Sequence, residues 1–157
     1  MRKRFHFESP REIYRADAAV VWCFDDRITL GVQKFLKRIG VRQVDTVRLA
    51  GGAMALASPK GEFERNFVLE QLRLSRKLHQ TGRVILVAHR DCAAYGGSAR
   101  FPDPGAEASF HSAELARAAE VIRAAIPELS VECYFADFDG VWELESTRSA
   151  NSVNLDA

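Results

Sequence analysis

Two short stretches hold residues able to do chemistry together: Cys23-Phe24-Asp25-Asp26-Arg27 and His89-Arg90-Asp91-Cys92. Two thiols and one imidazole supply three soft-to-borderline ligands, and three ligands leave the fourth position of a tetrahedral zinc ion open for water. An open position separates a catalytic zinc site from a structural one. Cys23, His89 and Cys92 are therefore the candidate metal ligands, and metal-assisted hydration or hydrolysis is the expected chemistry. The His89-x-x-Cys92 spacing lets one turn deliver two of them to a single ion. Taken singly, Cys23 reads as a buried strand residue and Cys92 as a helix-start thiol; their joint placement favours the metal. Asp25 and Arg27 stand beside the first ligand. A carboxylate next to a guanidinium stays ionised and accepts parallel hydrogen bonds. The pair reads as a dyad that orients a metal-bound water and keeps the carboxylate off the ion. The plainer reading is a surface ion pair worth about 0–1 kcal/mol.

Each stretch follows an apolar run of the kind that forms a buried strand, Ala18-Ala19-Val20-Val21-Trp22 and Val84-Ile85-Leu86-Val87-Ala88. The remaining pattern predicts strands over about 18–23, 44–49, 83–88, 130–136 and 141–145. Helices are expected over about 28–39, 62–80 and 106–125, with Gly40 and Gly82 as helix stops and 93–105 as a loop. Ser9-Pro10 reads as a cap and first-turn proline opening a short helix through Tyr14, within an N-terminal arm over 1–17. Alternating strands and helices predict a three-layer α/β/α fold around a mostly parallel sheet of about five strands. The Asp139-Gly140 turn adds one antiparallel edge strand. In such open sheets, sites form beyond the carboxyl ends of strands where the strand order reverses. In the common 2-1-3-4 order, the strands ending at Cys23 and His89 are neighbours across that point.

At 157 residues the chain is expected to be one domain over 1–157, with a polar tail from 146 to 157. The net charge of +1 gives no argument for nucleic acid or an acidic membrane surface, and no membrane association is expected. Met1-Arg2-Lys3-Arg4 is followed by polar and charged residues, which is not the pattern of a secretory signal. Three cysteines, an odd number with two in motif positions, fit a reducing compartment and a cytoplasmic location. Cys133 lies in the alternating run 131–135 and reads as a small buried hydrophobe.

The order of motifs resembles the β-class carbonic anhydrases. Its parts are Cys23-x-Asp25-x-Arg27, then Arg48-Leu49-Ala50-Gly51-Gly52, then Val87-Ala88-His89-Arg90-Asp91-Cys92-Ala93, and the closing Asp137-Phe138-Asp139-Gly140-Val141. The resemblance spans roughly residues 17–145. It implies zinc on Cys23, His89 and Cys92, a catalytic dyad of Asp25 and Arg27, and hydration of carbon dioxide to bicarbonate by a zinc-bound hydroxide. It also implies a homodimer or higher homo-oligomer with the site near the interface. The chain departs from the family pattern at Asp26 in place of serine and at Ala88 and Ala93 in place of glycines. Leu49 and Gly52 replace two amide side chains, and the chain lacks much of the N-terminal helical arm, so it reads as a compact, divergent branch.

Three alternatives accompany that reading. The same site is equally suited by its motif to hydrolysing carbonyl sulfide or carbon disulfide. A non-catalytic zinc scaffold would have Asp25 close the fourth position, although Arg27 then has no purpose. A thiol enzyme using a Cys–His pair is the third. His111 reads as a solvated helix histidine sooner than a proton shuttle, and His6 and His79 carry no signal. The helix over 62–80 carries Phe63, Phe67, Val68, Leu69, Leu72, Leu74 and Leu78, too wide an apolar surface for one contact, which points to a dimer.

Overall fold

A computed structural model describes residues 1–144 of the chain. Five strands form one sheet in the order β2-β1-β3-β4-β5: β1 Ala18–Cys23, β2 Val44–Leu49, β3 Arg83–His89, β4 Ser130–Ala136 and β5 Val141–Glu143. The first four are parallel, and β5 runs antiparallel to β4 at the edge. Helices α1 Thr29–Arg38, α2 Met54–Ala57, α3 Glu62–His79 and α4 Pro104–Ala125 cover the two faces. The expected three-layer α/β architecture with one antiparallel edge strand is the one observed.

The central strands are apolar throughout because both faces are covered, as parallel sheets require. All of β1 is buried, and so is β3 after Arg83. Ala18, Val20, Trp22, Ile85 and Val87 pack with Ile28, Val32 and Leu36 on the α1 side. Ala19, Val21, Val84, Leu86 and Ala88 pack with Val68, Leu69, Leu72, Leu115 and Ile122 on the α3–α4 side. β1 sits between β2 and β3, with Trp22 paired to Val87. The carboxyl ends of β1 and β3 are therefore adjacent, and they carry Cys23 and His89.

The structure corrects several expectations. No helix forms over 9–14. Ile13 is 85% exposed there, so a turn of helix would bury nothing to offset its nucleation. The arm is instead held at its end, where Tyr14 Oη donates to Asp45 Oδ1 (2.6 Å) and Ala16 N–H donates to the His79 carbonyl (3.0 Å). α3 is closed by Gln80 in the left-handed conformation (φ 56°), two residues before Gly82. α4 opens at Pro104, because Asp103 accepts from Ala106 N–H (2.8 Å) as its cap. The loop over 93–105 contains two 3₁₀ turns, Ala93–Tyr95 and Ser98–Arg100, and α2 was not anticipated. β5 is shorter than expected; residue 145 and the polar tail over 146–157 lie outside the described residues.

α3 buries Val68, Leu69 and Leu72 while Phe63 and Phe67 remain exposed. Its apolar surface is thus two-sided, with one side left exposed among the described residues. Among the described residues no helix is long and apolar enough to cross a membrane.

Candidate metal centre

Cys23 is the last residue of β1, His89 the last of β3, and Cys92 opens the turn after β3. All three are buried, and one donor atom from each lies within 4.8 Å of the others. The two sulfurs are 4.0 Å apart. Two sulfurs each about 2.3 Å from one tetrahedral ion would stand roughly 3.8 Å apart, so the spacing fits a shared metal. Cys133 lies elsewhere on β4, half-buried, with its thiol directed at the Leu115 carbonyl (3.7 Å).

Local hydrogen bonds prepare all three donors. His89 Nδ1 lies 2.8 Å from the Arg90 carbonyl. A carbonyl can only accept, so Nδ1 carries the proton and Nε2 keeps its lone pair. Among the described residues Nε2 is buried with no hydrogen-bond partner, an orphan that a metal would satisfy. The Cys92 thiol lowers Cys23 well below the ordinary thiol range, helped by His89 and by the N–H groups of Asp25 and Gly51, while burial works against it. Cys92 is raised, chiefly by the neighbouring Cys23 and then by burial. One proton leaves this pair readily and the second is held by the charge already present. A divalent cation removes that conflict and suits two thiolates beside a neutral imidazole.

Asp25 and Arg27 form the expected pair. Arg27 Nε donates to both Asp25 oxygens (3.0 and 3.1 Å), and Nη2 donates to Oδ2 (2.6 Å). The Arg27 backbone N–H adds a bond to Oδ1 (3.0 Å), capping the short turn after β1. The Arg27 bonds hold the Asp25 carboxyl down at about 2, and the Arg27 guanidinium is raised by the same contacts. Both Asp25 oxygens face Arg27, and Asp25 is not part of the converging donor group. Asp26 points to solvent.

Several contacts around the dyad and the ligands were not read from the sequence. Arg27 is shared: Nη1 donates to Asp91 Oδ2 (2.9 Å) and Nη2 to the Asp91 carbonyl (3.0 Å). Arg48 stacks on Trp22 (4.4 Å) and donates to Thr29 Oγ1 (2.8 Å) behind the turn. Tyr95, Met54 and Phe110 pack around the two sulfurs. His111 is fully buried, contrary to the expectation of a solvated residue, and burial lowers it to about 4. It lies on the inward face of α4 with Glu107 and Glu114, both also buried. Polar residues at i, i+4 and i+7 on a face that continues through Leu115, Ala118 and Ile122 were the available signal. A cleft of about 600 Å³ opens beside Arg27, between α1 and the 136–141 turn, and Phe138 stacks on the Arg27 guanidinium (5.5 Å).

The strand order and the three donors at adjacent strand ends define a β-carbonic-anhydrase-like α/β protein. Residues 15–147 match the family described as putative carbonic anhydrase, and the chain belongs to that family as a divergent member. An uncharacterized protein of Rickettsia conorii is 26% identical over 140 residues, covering 87% of this chain and 75% of the relative. An uncharacterized protein of Rickettsia bellii is also 26% identical over 140 residues, covering 87% and 85%. A tetrameric β-carbonic anhydrase of Sordaria macrospora superposes with a TM-score of 0.59 at 16% identity, over 84% of this chain and 82% of that one. β-Carbonic anhydrase isoform I of Trichomonas vaginalis gives 0.55 at 15% identity, over 88% and 87%. At these identities the two structures share the fold.

Proposed function

We propose that this chain is a zinc enzyme hydrating carbon dioxide to bicarbonate, with Cys23, His89 and Cys92 as the metal ligands and Asp25 and Arg27 as the catalytic dyad. The observation that carries this reading is the convergence of three donors within 4.8 Å while Arg27 engages both oxygens of the neighbouring carboxylate. A purely structural centre recruits a fourth ligand, and Asp25, two residues past Cys23, is an acid near enough in sequence to do so. Its capture by Arg27 supports an open fourth position.

Zinc held there supplies Lewis acidity, lowering the pKa of a water to about 7. The chain's own residues do the rest. Arg27 keeps Asp25 ionised and fixes its orientation, so that Asp25 can accept an O–H and aim the water's lone pairs at the substrate carbon. The N–H groups of Asp25 and Gly51 stabilise Cys23 as a thiolate, and those of Ala94 and Tyr95 do the same for Cys92. The apolar ring of Met54, Tyr95 and Phe110 keeps bulk water from the sulfurs.

The same proposal takes the chain as one functional unit over 1–157, acting in the cytoplasm on a small molecule, without nucleic acid or membrane. It also takes the chain as a homodimer or higher homo-oligomer. Exposed Phe63, Phe67 and Leu78 on α3 and the tetrameric Sordaria macrospora structure support assembly. Static light scattering showing a monomer at micromolar concentration would remove that part.

Zinc analysis combined with stopped-flow carbon dioxide hydration tests the whole. One zinc per chain with hydration that rises through neutral pH is expected, and Cys23→Ser should lose both. Zinc without hydration at any pH would favour the scaffold alternative. Parallel assays with carbonyl sulfide and carbon disulfide distinguish the substrates.

A further inference from the structure

The turn after β3 contains a residue in an unfavourable conformation. Asp91 has φ +55°, in the left-handed region that side chains with a Cβ rarely adopt. Asparagine and aspartate tolerate it best, yet they need outside support to stay there. Asp91 is supported from two sides. Its N–H donates to Glu107 Oε1 at 2.6 Å. Its carbonyl and its Oδ2 accept from Arg27, and its Oδ1 accepts from Ser98 N–H at 2.9 Å.

Glu107 is the anchor of this arrangement. It is 1% exposed, near the start of α4, with His111 Nε2 at 4.0 Å from Oε1. Its second oxygen accepts from Ser98 Oγ (2.8 Å) and from Arg90 Nη1 (3.3 Å). Among the described residues, every side-chain hydrogen bond of this carboxylate goes to the segment 90–98, which carries Cys92. A buried carboxylate is costly, and an apolar side chain at this core-facing position would serve packing alone as well or better. Glu114, the other buried carboxylate of α4, instead binds Tyr95, Ser58 and Arg117. Three donors thus engage the two oxygens of Glu107.

We propose that Glu107 is a positioning residue for the Asp25–Arg27 pair. It holds the left-handed turn at Asp91, so that Asp91 offers both its carbonyl and its carboxylate to Arg27. Arg27, fixed along that edge, turns Nε and Nη2 onto Asp25. The chain Glu107–Asp91–Arg27–Asp25 thus links a rigid helix to the dyad, and Glu107 itself touches neither Asp25 nor a candidate ligand. The inference rests on reading Asp25 and Arg27 as the dyad.

The test uses the full zinc-loaded chain and the near-isosteric Glu107→Gln, which keeps the volume but turns an NH₂ toward one of three donors. In the wild type, the Arg27 Nε–H should give a single protected ¹⁵N resonance. In Glu107→Gln it should exchange at least about ten-fold faster, with protection lost at the Asp91 and Ser98 amides and kept in β1 and β3. Zinc content should stay unchanged, while kcat falls about ten-fold or more and KM moves less than about two-fold. Ser98→Ala removes one donor from Glu107 at a half-buried position and should shift the Arg27 resonance the same way, by less. A Glu107→Gln protein with a lower melting temperature but wild-type Arg27 and Asp91 protection would overturn the proposal. If that variant does not fold, an unchanged Arg27 resonance in Ser98→Ala overturns it instead. A wild type without hydration activity would defeat the proposed reaction alone, because the Arg27 and Asp91 measurements still decide the positioning.

Discussion

Gly52 lies against the backbone of Trp22, so that a Cβ at position 52 would stand 2.8 Å from the Trp22 carbonyl carbon and 3.0 Å from Cys23 N. These are backbone atoms of the central strand and cannot swing aside. Gly52 also has φ +54°, which a side chain would strain further. Gly52→Ala should therefore cost about 2–4 kcal/mol and displace the end of β1. For a chain of this length that corresponds to a drop in melting temperature of roughly 4–16 °C, with weakened zinc retention. A calorimetric scan matching wild type would show that β1 has slack at Cys23.

Arg27→Ala should keep zinc and lose hydration by about 10²-fold, because an unpaired Asp25 is free to take the fourth position. Adding Asp25→Ala should reopen the site without full recovery, since nothing then orients the water. Metal analysis and stopped-flow rates on the single and double variants check both statements. Wild-type rates in Arg27→Ala would reduce the dyad to a surface ion pair.

Metal removal should expose the thiol pair to oxidation. Cys92 lowers the Cys23 thiol, which makes it the readier of the two to form a thiolate, 4.0 Å from a second sulfur. After chelation, a mild oxidant should join Cys23 to Cys92 and leave Cys133 as the remaining titratable thiol. The zinc-loaded protein should keep all three thiols. Thiol counting and peptide mass mapping report the result; equal oxidation rates with and without metal would argue that the ion does not bind these sulfurs.

Away from the site, Asp45 makes the fold acid-sensitive. Burial works against its charge, but bonds from Ser75, Tyr14 and His79 outweigh it and lower the carboxyl below its ordinary value. The unfolded chain then binds the proton more readily, so this contribution is complete above about pH 4 and is lost as pH falls through the lower folded value. Asp45→Asn should be about 1–2 kcal/mol less stable at pH 7 and should show a shallower loss on acidification. Urea midpoints at pH 7 and pH 3 measure the difference, and parallel curves for the two proteins would contradict it.

The strand pattern and the converging donors were legible because a parallel sheet imposes uninterrupted apolar runs, and the chemistry sits where those runs stop. Cys23 and His89 end such runs, so placement followed from topology. The role of Asp91 was not legible, because its backbone conformation depends on Glu107 from a distant helix. His111 was misread for a related reason: α4 carries charged residues on its buried face, so polarity no longer marks the solvent side. At α3, Gln80 took the cap that Gly82 was expected to supply, since a side chain can adopt one left-handed position at modest cost. The arm failed as a helix because the cap and first-turn proline at Ser9-Pro10 had no apolar face behind them to bury.

The adjacency of β1 and β3 has a consequence for how the protein is made. Cys23 and Cys92 are 69 positions apart, and between them lie the whole of α1, β2, α2 and α3. Closing so long a segment carries a large entropic penalty, and a parallel central pair is a slow, non-local contact. An ion therefore cannot nucleate this chain as it does a short finger, where ligands a few residues apart fold around it. It can only bind tightly once β3 has inserted beside β1, after the ribosome has released everything through Cys92. Metal acquisition should accordingly trail sheet assembly, so that a newly made chain is a folded apoprotein before it becomes anything else.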